Sequence, residues 1–249
     1  MNGQVFLRAQ GLRKNYPGMT KPAVAELNID LKRGELLGLL GPNGAGKTTT
    51  ISMLSTLISP DSGTLNIANI DALQFPQRMR SMLGVVPQGL ALYPTLTLEE
   101  NLRFFGRLYG LSGSILRQRI DECSEFVALA DMLKKTINTF SGGMKRRANL
   151  AAGIVHQPEL LFLDEPTVGI DPQSRHQILA NLRELNQQGM TMVYTTHYMD
   201  EVQQLCSRVM IVDGGTVLTQ GGVTALLKQH KCDHLEELFL RLTGKQLRD

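Results

Sequence analysis

An α/β fold is predicted, with an antiparallel β portion near its start and helices inserted in its middle, and three observations predict it. Short apolar runs alternate with amphipathic segments along most of the 249 residues, as strands and helices do when helices cover a sheet. One of those runs ends in a glycine-rich loop that leads into a helical pattern. From about Leu98 to Val155 nothing reads as a strand.

Taken in order, Leu27, Ile29 and Leu31 alternate with Asn28 and Asp30, the period of a half-buried strand. Glu35–Leu40 is a continuous apolar run, as a strand buried on both faces would be. A helix is expected from Thr49 to Ile58, with Ile51, Leu54 and Ile58 on one face. Gly63–Ala68 reads as a strand, with Leu65 and Ile67 on one side, closed by Asn69, which tolerates a left-handed turn. Thr97 and Glu100 form a capping-box pattern that opens a helix ending near Gly110. Leu116, Ile120, Cys123 and Val127 then recur at helical spacing, and a further helix is expected from Met144 to Val155. Leu160–Leu163 and Met190–Thr195 read as buried strands. Between them Asp171 and Pro172 supply an N-cap and a first-turn proline, Ile178, Leu182 and Leu185 a stripe, and Gly189 a stop. Arg208–Thr219 is a hairpin about Gly214 and Gly215, and Leu235, Leu238, Phe239 and Leu242 mark a last amphipathic helix. The expected organisation is a core of residues 1–97 and 156–220 that includes the β portion, a helical insertion at 98–155, and C-terminal helices at 221–249.

Composition narrows the function classes. With 42% apolar and 20% charged residues the chain is ordinary globular protein. Cys123, Cys206 and Cys232 are far apart and odd in number, which fits free thiols in a reducing compartment. The first residues lack a secretory pattern, and no apolar run approaches the ~18 residues of a membrane span. The chain is therefore expected to be neither secreted nor membrane-spanning. Net charge is only +3, tryptophan is absent and aromatics are 5%, so no nucleic-acid partner is expected. The one dense basic cluster, Lys145, Arg146 and Arg147, reads as a solvated helix face. His230, Cys232 and His234 are spaced too tightly for usual zinc pairs and read as a polar helix junction.

The chemistry concentrates in three segments. Gly41, Pro42, Asn43, Gly44, Ala45, Gly46, Lys47 and Thr48 match G-x-x-x-x-G-K-S/T between a strand and a helix. Such a loop turns its N–H groups onto phosphate oxygens, its lysine reaches the β- and γ-phosphates, and its hydroxyl ligates Mg²⁺. Asp164 and Glu165 end a buried strand, where a first carboxylate can hold Mg²⁺ and a second can act as general base. Ser141, Gly142 and Gly143 precede a helical run, giving a second anion-binding helix end. Two such ends in one chain make sense when the second serves a nucleotide held by another copy.

With these residues in place the chain resembles an ATP-binding-cassette (ABC) ATPase subunit, and the resemblance covers nearly its whole length. It implies a P-loop NTPase core with an antiparallel β subdomain and an inserted α-helical subdomain. Tyr16 resembles the aromatic residue that stacks on adenine, and the phosphate cradle extends to Thr49. Gln88 resembles the glutamine that touches Mg²⁺ and water. Phe140-Ser-Gly-Gly-Met-Lys145 is similar to the family's signature, with Phe where Leu is commoner. Thr167–Asp171 resembles the dimer-contact loop, with Val168 where Ser is frequent, and His197 resembles the γ-phosphate-sensing histidine. The resemblance implies ATP and Mg²⁺ as cofactors and a head-to-tail dimer with two composite sites. The loop, Asp164, Glu165, Gln88 and His197 would come from one copy, and Ser141, Gly143 and Asp171 from the other.

The wording of Leu39–Thr50, Thr167–Arg175 and Leu238–Arg248 is similar to the ABC-2-type exporter subgroup. That subgroup implies separate transmembrane permease subunits and a place on the cytoplasmic side of the membrane, and the short C-terminus is expected to leave no room for a regulatory domain. A docking patch for the permease is expected among Tyr93, Leu96, Phe104, Phe105 and Tyr109. The alternative is a soluble ABC ATPase without a membrane partner, of the cluster-assembly type.

Overall fold

The computed structural model describes residues 4–244. The last residues of the exporter-like ending, 245–248, lie outside them. In chain order the first elements are β1 (Val5–Lys14), β2 (Val24–Lys32), β3 (Leu36–Leu40), α1 (Lys47–Leu54), β4 (Ser62–Ile67), β5 (Ile70–Asp71), α2 (Pro76–Met79) and β6 (Leu83–Val86). The middle holds α3 (Leu98–Leu108), α4 (Gly113–Phe126), α5 (Gly142–Ile154), β7 (Leu160–Asp164) and α6 (Pro172–Gln187). Then come β8 (Thr191–Thr196), α7 (Met199–Leu205), β9 (Arg208–Asp213), β10 (Thr216–Gly222), α8 (Val223–His230) and α9 (Leu235–Thr243). The chain divides into two compact units, one of residues up to 79 and from 191 on, the other of residues 80–190.

In the first unit β1 pairs antiparallel with β2 and β4, and β4 with β5. The expected alternation in β2 is observed, with Leu27, Ile29 and Leu31 buried and Asn28 and Asp30 exposed. β9 and β10 form the hairpin about Gly214 and Gly215, both with positive φ. β3 lies between β8 and β9, parallel to both, and all five of its residues are buried. That double pairing explains why its sequence is an unbroken apolar run rather than an alternating one.

The second unit pairs β6 with β7 in parallel and carries α3 to α6. Thr97 and Glu100 make the complete capping box at the start of α3. Asn101, fully buried, accepts from Tyr93 N at 2.8 Å and donates to Tyr93 O at 3.1 Å, tying the preceding loop to α3. Leu116, Ile120, Cys123 and Val127 are buried as their spacing requires. Tyr109, just after α3, stacks on His156 with ring centroids 3.6 Å apart, and His156 Nε2 lies 2.9 Å from Leu83 O. Burial holds the imidazole below its ordinary pKa.

Three expectations need correction. α1 begins at Lys47 and ends at Leu54 instead of running from Thr49 to Ile58. Thr56 takes φ +61°, and the Leu57 and Ile58 N–H groups both turn back to Ser52 O. α5 begins at Gly142 instead of Met144, because Ser141 is its cap. Arg146 and Arg147 are not a solvated face: both are half-buried and donate to backbone carbonyls, Arg146 to Gln88 and Val168 and Arg147 to Val127 and Ala128. Isolated charge counting could not see those acceptors, which tertiary packing supplies.

Candidate active site

In the first unit β3 delivers the chain into the glycine-rich loop. Gly46 caps α1 at φ +99°, with no side-chain cap and no acidic residue in the first turn. Close approach of backbone dictates the glycines: a Cβ on Gly46 would lie 2.3 Å from Ala23 O, and one on Gly41 2.5 Å from Val212 O. Gly44, by contrast, would meet nothing within 4 Å and is needed for its φ of +79°. The hairpin tip braces the loop, with Gly215 N donating to Ala45 O at 3.2 Å. Lys47 is buried and its Nζ donates to Gly41 O at 2.9 Å and Pro42 O at 3.3 Å, so the ammonium is curled over the loop. Pro42, Gly46 and Thr49 are half-buried, Ala45 is buried, and Asn43 and Thr48 are exposed. An acid-free helix N-terminus beside a buried ammonium suits a phosphate chain.

The register Leu40↔Thr196 sends Gly41 and His197 out of the sheet at the same edge. The turn that carries His197 is fastened by Glu201, which is 2% exposed. Its Oε2 accepts from Tyr194 Oη at 2.7 Å and Thr196 Oγ1 at 2.7 Å. Thr196 Oγ1 in turn accepts from Tyr198 N at 3.0 Å. Tyr16 lies in the turn after β1, exposed, with Lys14 Nζ 6.0 Å from its ring centroid.

In the second unit Asp164 ends β7 and Glu165 follows it, both buried. Glu165 has φ +47°, a left-handed backbone that costs on the order of 1 kcal/mol for a residue with a Cβ. The register Val86↔Leu163 puts the loop after β6 at the same edge as this pair. From that loop Gln88 Nε2 donates to Glu165 Oε2 at 3.2 Å. The loop is gripped from α5: Asn149 accepts from Ala91 N at 3.1 Å and donates to Pro87 O at 3.3 Å, and Arg146 donates to Gln88 O.

At the start of α5, Ser141 Oγ accepts from Met144 N at 3.2 Å while the side chain stays exposed. Gly142 is exposed too. Gly143 is buried against α6, where a Cβ would fall 1.9 Å from Ser174 Oγ and 3.2 Å from Asp171 Oδ2. Asp171 caps α6, its Oδ1 accepting from Ser174 N at 2.9 Å, and that bond holds its carboxyl below the ordinary carboxylate range. Asp171 therefore has a structural task beside the contact expected of it.

The structure thus gathers the loop and His197 at the ends of β3 and β8, Gln88 and Glu165 at the ends of β6 and β7, and Ser141–Gly143 with Asp171. Reading the sequence missed Arg146, Asn149 and Glu201. Only Glu201 left a local signal, a carboxylate four residues after His197; the partners of Arg146 and Asn149 lie 22 to 62 residues away in sequence. Among the described residues no group of three or more His, Cys, Asp and Glu could hold a metal ion by itself. Near His230, Cys232 Sγ lies 3.5 Å from His230 O, and Arg241 donates to the same carbonyl, a polar junction between α8 and α9.

Comparison with known proteins identifies the family. The family model described as ABC transporter matches residues 24–168. The chain is 47% identical over 233 residues to the linearmycin resistance ATP-binding protein LnrL of Bacillus subtilis, a match spanning 94% of this chain and 74% of that protein. It is 41% identical over 232 residues to the Nod factor export ATP-binding protein I of Ralstonia nicotianae, spanning 93% and 72%. An ATP-binding cassette solved as a dimer in a post-hydrolysis state with ADP and Pi matches with TM-score 0.80 at 26% identity, over 87% of this chain and 98% of that one. A nucleotide loop, a buried carboxylate pair and whole-length likeness to such cassettes lead to one assignment: this chain belongs to the ABC transporter family and is one of its ATP-hydrolysing cassettes.

Proposed function

We propose that the chain powers an ABC-2-type exporter by closing, with ATP, into a head-to-tail dimer of two copies or of this chain with a homologue. The observation that carries the catalytic part is the Gln88–Glu165 bond of 3.2 Å, which joins the expected water-sensing amide to the expected base. Glu165 would take the proton of the attacking water, and Gln88 and His197 would orient that water and the γ-phosphate. Lys47 and the N–H groups of Gly41–Thr49 would hold the phosphates, and Tyr16 the base. Thr48, Asp164 and Gln88 offer oxygen donors, the chemistry Mg²⁺ prefers. When bound, that ion would offset charge on the β- and γ-phosphates. Ser141, Gly142, Gly143 and Asp171 would face the nucleotide of the other copy.

The relatives named for linearmycin resistance and Nod factor export support an export role. Among the described residues no helix is long and apolar enough to cross a membrane, so export would use separate permease subunits on whose cytoplasmic side the chain sits. A surface suited to them is present in the helical segment, residues 98–155 of the expected organisation, and its preceding loop. Tyr93 and Phe104 are exposed and pack edge to face at 5.0 Å, with Phe105 5.3 Å from Phe104 and Leu108 exposed alongside. Phe105, Leu96 and Tyr109 are half-buried, so the exposed part of the patch is Tyr93, Phe104 and Leu108.

Mixing tests the dimer. Ser141→Arg and Lys47→Ala chains should each be inactive alone, the first still binding ATP. Together they should recover hydrolysis at no more than one site per dimer, because one pairing carries both defects and the other neither. A mixture as inactive as its components would defeat the head-to-tail reading.

A further inference from the structure

Arg146 closes a ring of contacts that the expected catalytic residues alone leave open. Its Nη1 donates to Gln88 O, and its Nη2 donates to Val168 O at 3.2 Å. Gln88 Nε2 donates to Glu165 Oε2 at 3.2 Å. Val168 N donates to Glu165 O at 3.3 Å. One guanidinium thus grips the loops on either side of Glu165, reaching its carboxylate through Gln88 and its backbone through Val168. Glu165 holds a left-handed φ of +47°, and such a conformation persists only where its surroundings fix it. Arg146 lies on α5, whose first turn is capped by Ser141, so a shift of that helix is felt at both carbonyls.

We propose that Arg146 is a positioning residue that ties the Ser141 end of α5 to Glu165 and so couples the two ATP sites of the dimer. This rests on the head-to-tail reading, in which Ser141 and Glu165 of one chain serve different nucleotides. ATP seated on Ser141 would set α5, and α5 through Arg146 would set Gln88, Val168 and the base of the other site. The fork geometry of arginine matters, because its planar guanidinium holds two donors at a fixed spacing, whereas a lysine ammonium on a flexible stem would not fix the two loops relative to each other. Burial lowers the Arg146 pKa while the Glu165 charge opposes that shift, as expected of a cation held near this carboxylate.

The test is steady-state ATP hydrolysis by the full chain with Mg²⁺, for wild type, Arg146→Met and Arg146→Lys. Melting temperature and binding of a fluorescent ATP analogue are followed alongside. Arg146→Met should lower kcat by about 10²-fold, the scale of a misplaced reacting group. Its KM and analogue affinity should stay within about twofold, since Lys47 and its loop are untouched, and the Hill coefficient for ATP should fall towards 1. Arg146→Lys should fall between wild type and Arg146→Met in both kcat and Hill coefficient. Should Arg146→Met fail to fold, folded Arg146→Lys decides: reduced kcat and cooperativity support the coupling, and wild-type values overturn it. Variants that lose kcat but keep wild-type cooperativity overturn it as well. A wild-type chain that hydrolyses ATP as a monomer removes the dimer reading and this inference together, whereas a cooperative dimer with unaffected variants removes only the inference.

Discussion

Glu165 combines burial, a left-handed backbone and an amide partner in one position. A carboxylate so held is set up to accept a proton at one place. Glu165→Gln keeps the shape and loses the base, so kcat should fall about 10²- to 10⁴-fold, the range of a general base. Nucleotide binding should survive, and the ATP-bound dimer should accumulate on size exclusion; a monomeric, active variant would refute the assignment. Much of this was legible at residue level. The loop glycines, Lys47, Asp164 and Glu165 announce themselves because their chemistry depends on immediate neighbours in sequence. Arg146 was not legible, since its acceptors lie 58 and 22 residues away. Gly143 shows the same limit. The motif reading expects it to face a nucleotide, and its lack of a side chain is required in any case by Ser174, which leaves no room for a Cβ.

Among the elements, the start of α3 was read correctly because a local capping rule sets it, whereas the end of α1 was not. The α3 start is fixed within four residues: Thr97 Oγ1 accepts from Glu100 N at 3.2 Å, and Glu100 Oε2 accepts from Thr97 N at 2.8 Å. Thr97→Ala should therefore cost about 1 kcal/mol of stability, measured by denaturant unfolding, with no change in ATP affinity. The pH sense follows from Glu100, whose carboxyl the Thr97 N–H and then the Thr97 hydroxyl hold below its ordinary value of 4.5. Thr97→Ala keeps the N–H and removes the hydroxyl, which donates to Glu100 Oε2 at 2.9 Å. A depressed carboxylate stabilises fully above its unfolded pKa and loses that contribution as pH falls through the folded one. The hydroxyl's share of the difference between wild type and Thr97→Ala should thus shrink as pH falls below the unfolded carboxylate pKa and through the lowered folded one, where Glu100 takes up a proton. The early end of α1 was invisible because Ser52 O, not a sequence stop signal, draws in Leu57 and Ile58.

At the scale of the molecule, each unit carries part of the expected chemistry: the loop and His197 in one, the carboxylates, Gln88 and the Ser141 helix in the other. The exposed aromatic patch belongs to the second. Tyr93→Asp or Phe104→Asp should abolish co-purification with the permease and transport in cells, while hydrolysis by the purified chain persists. Unchanged association would remove the patch as a docking surface and favour a soluble cassette. The stack of Tyr109 on His156 has an optical consequence. The chain holds no tryptophan, so its intrinsic fluorescence is that of tyrosine alone. An indole placed at position 109 would be the single tryptophan emitter, seated where α3 ends against an imidazole anchored to β6. Excited at the red edge of its absorption, where the remaining tyrosines absorb little, its emission would follow that joint through the ATP cycle without a label.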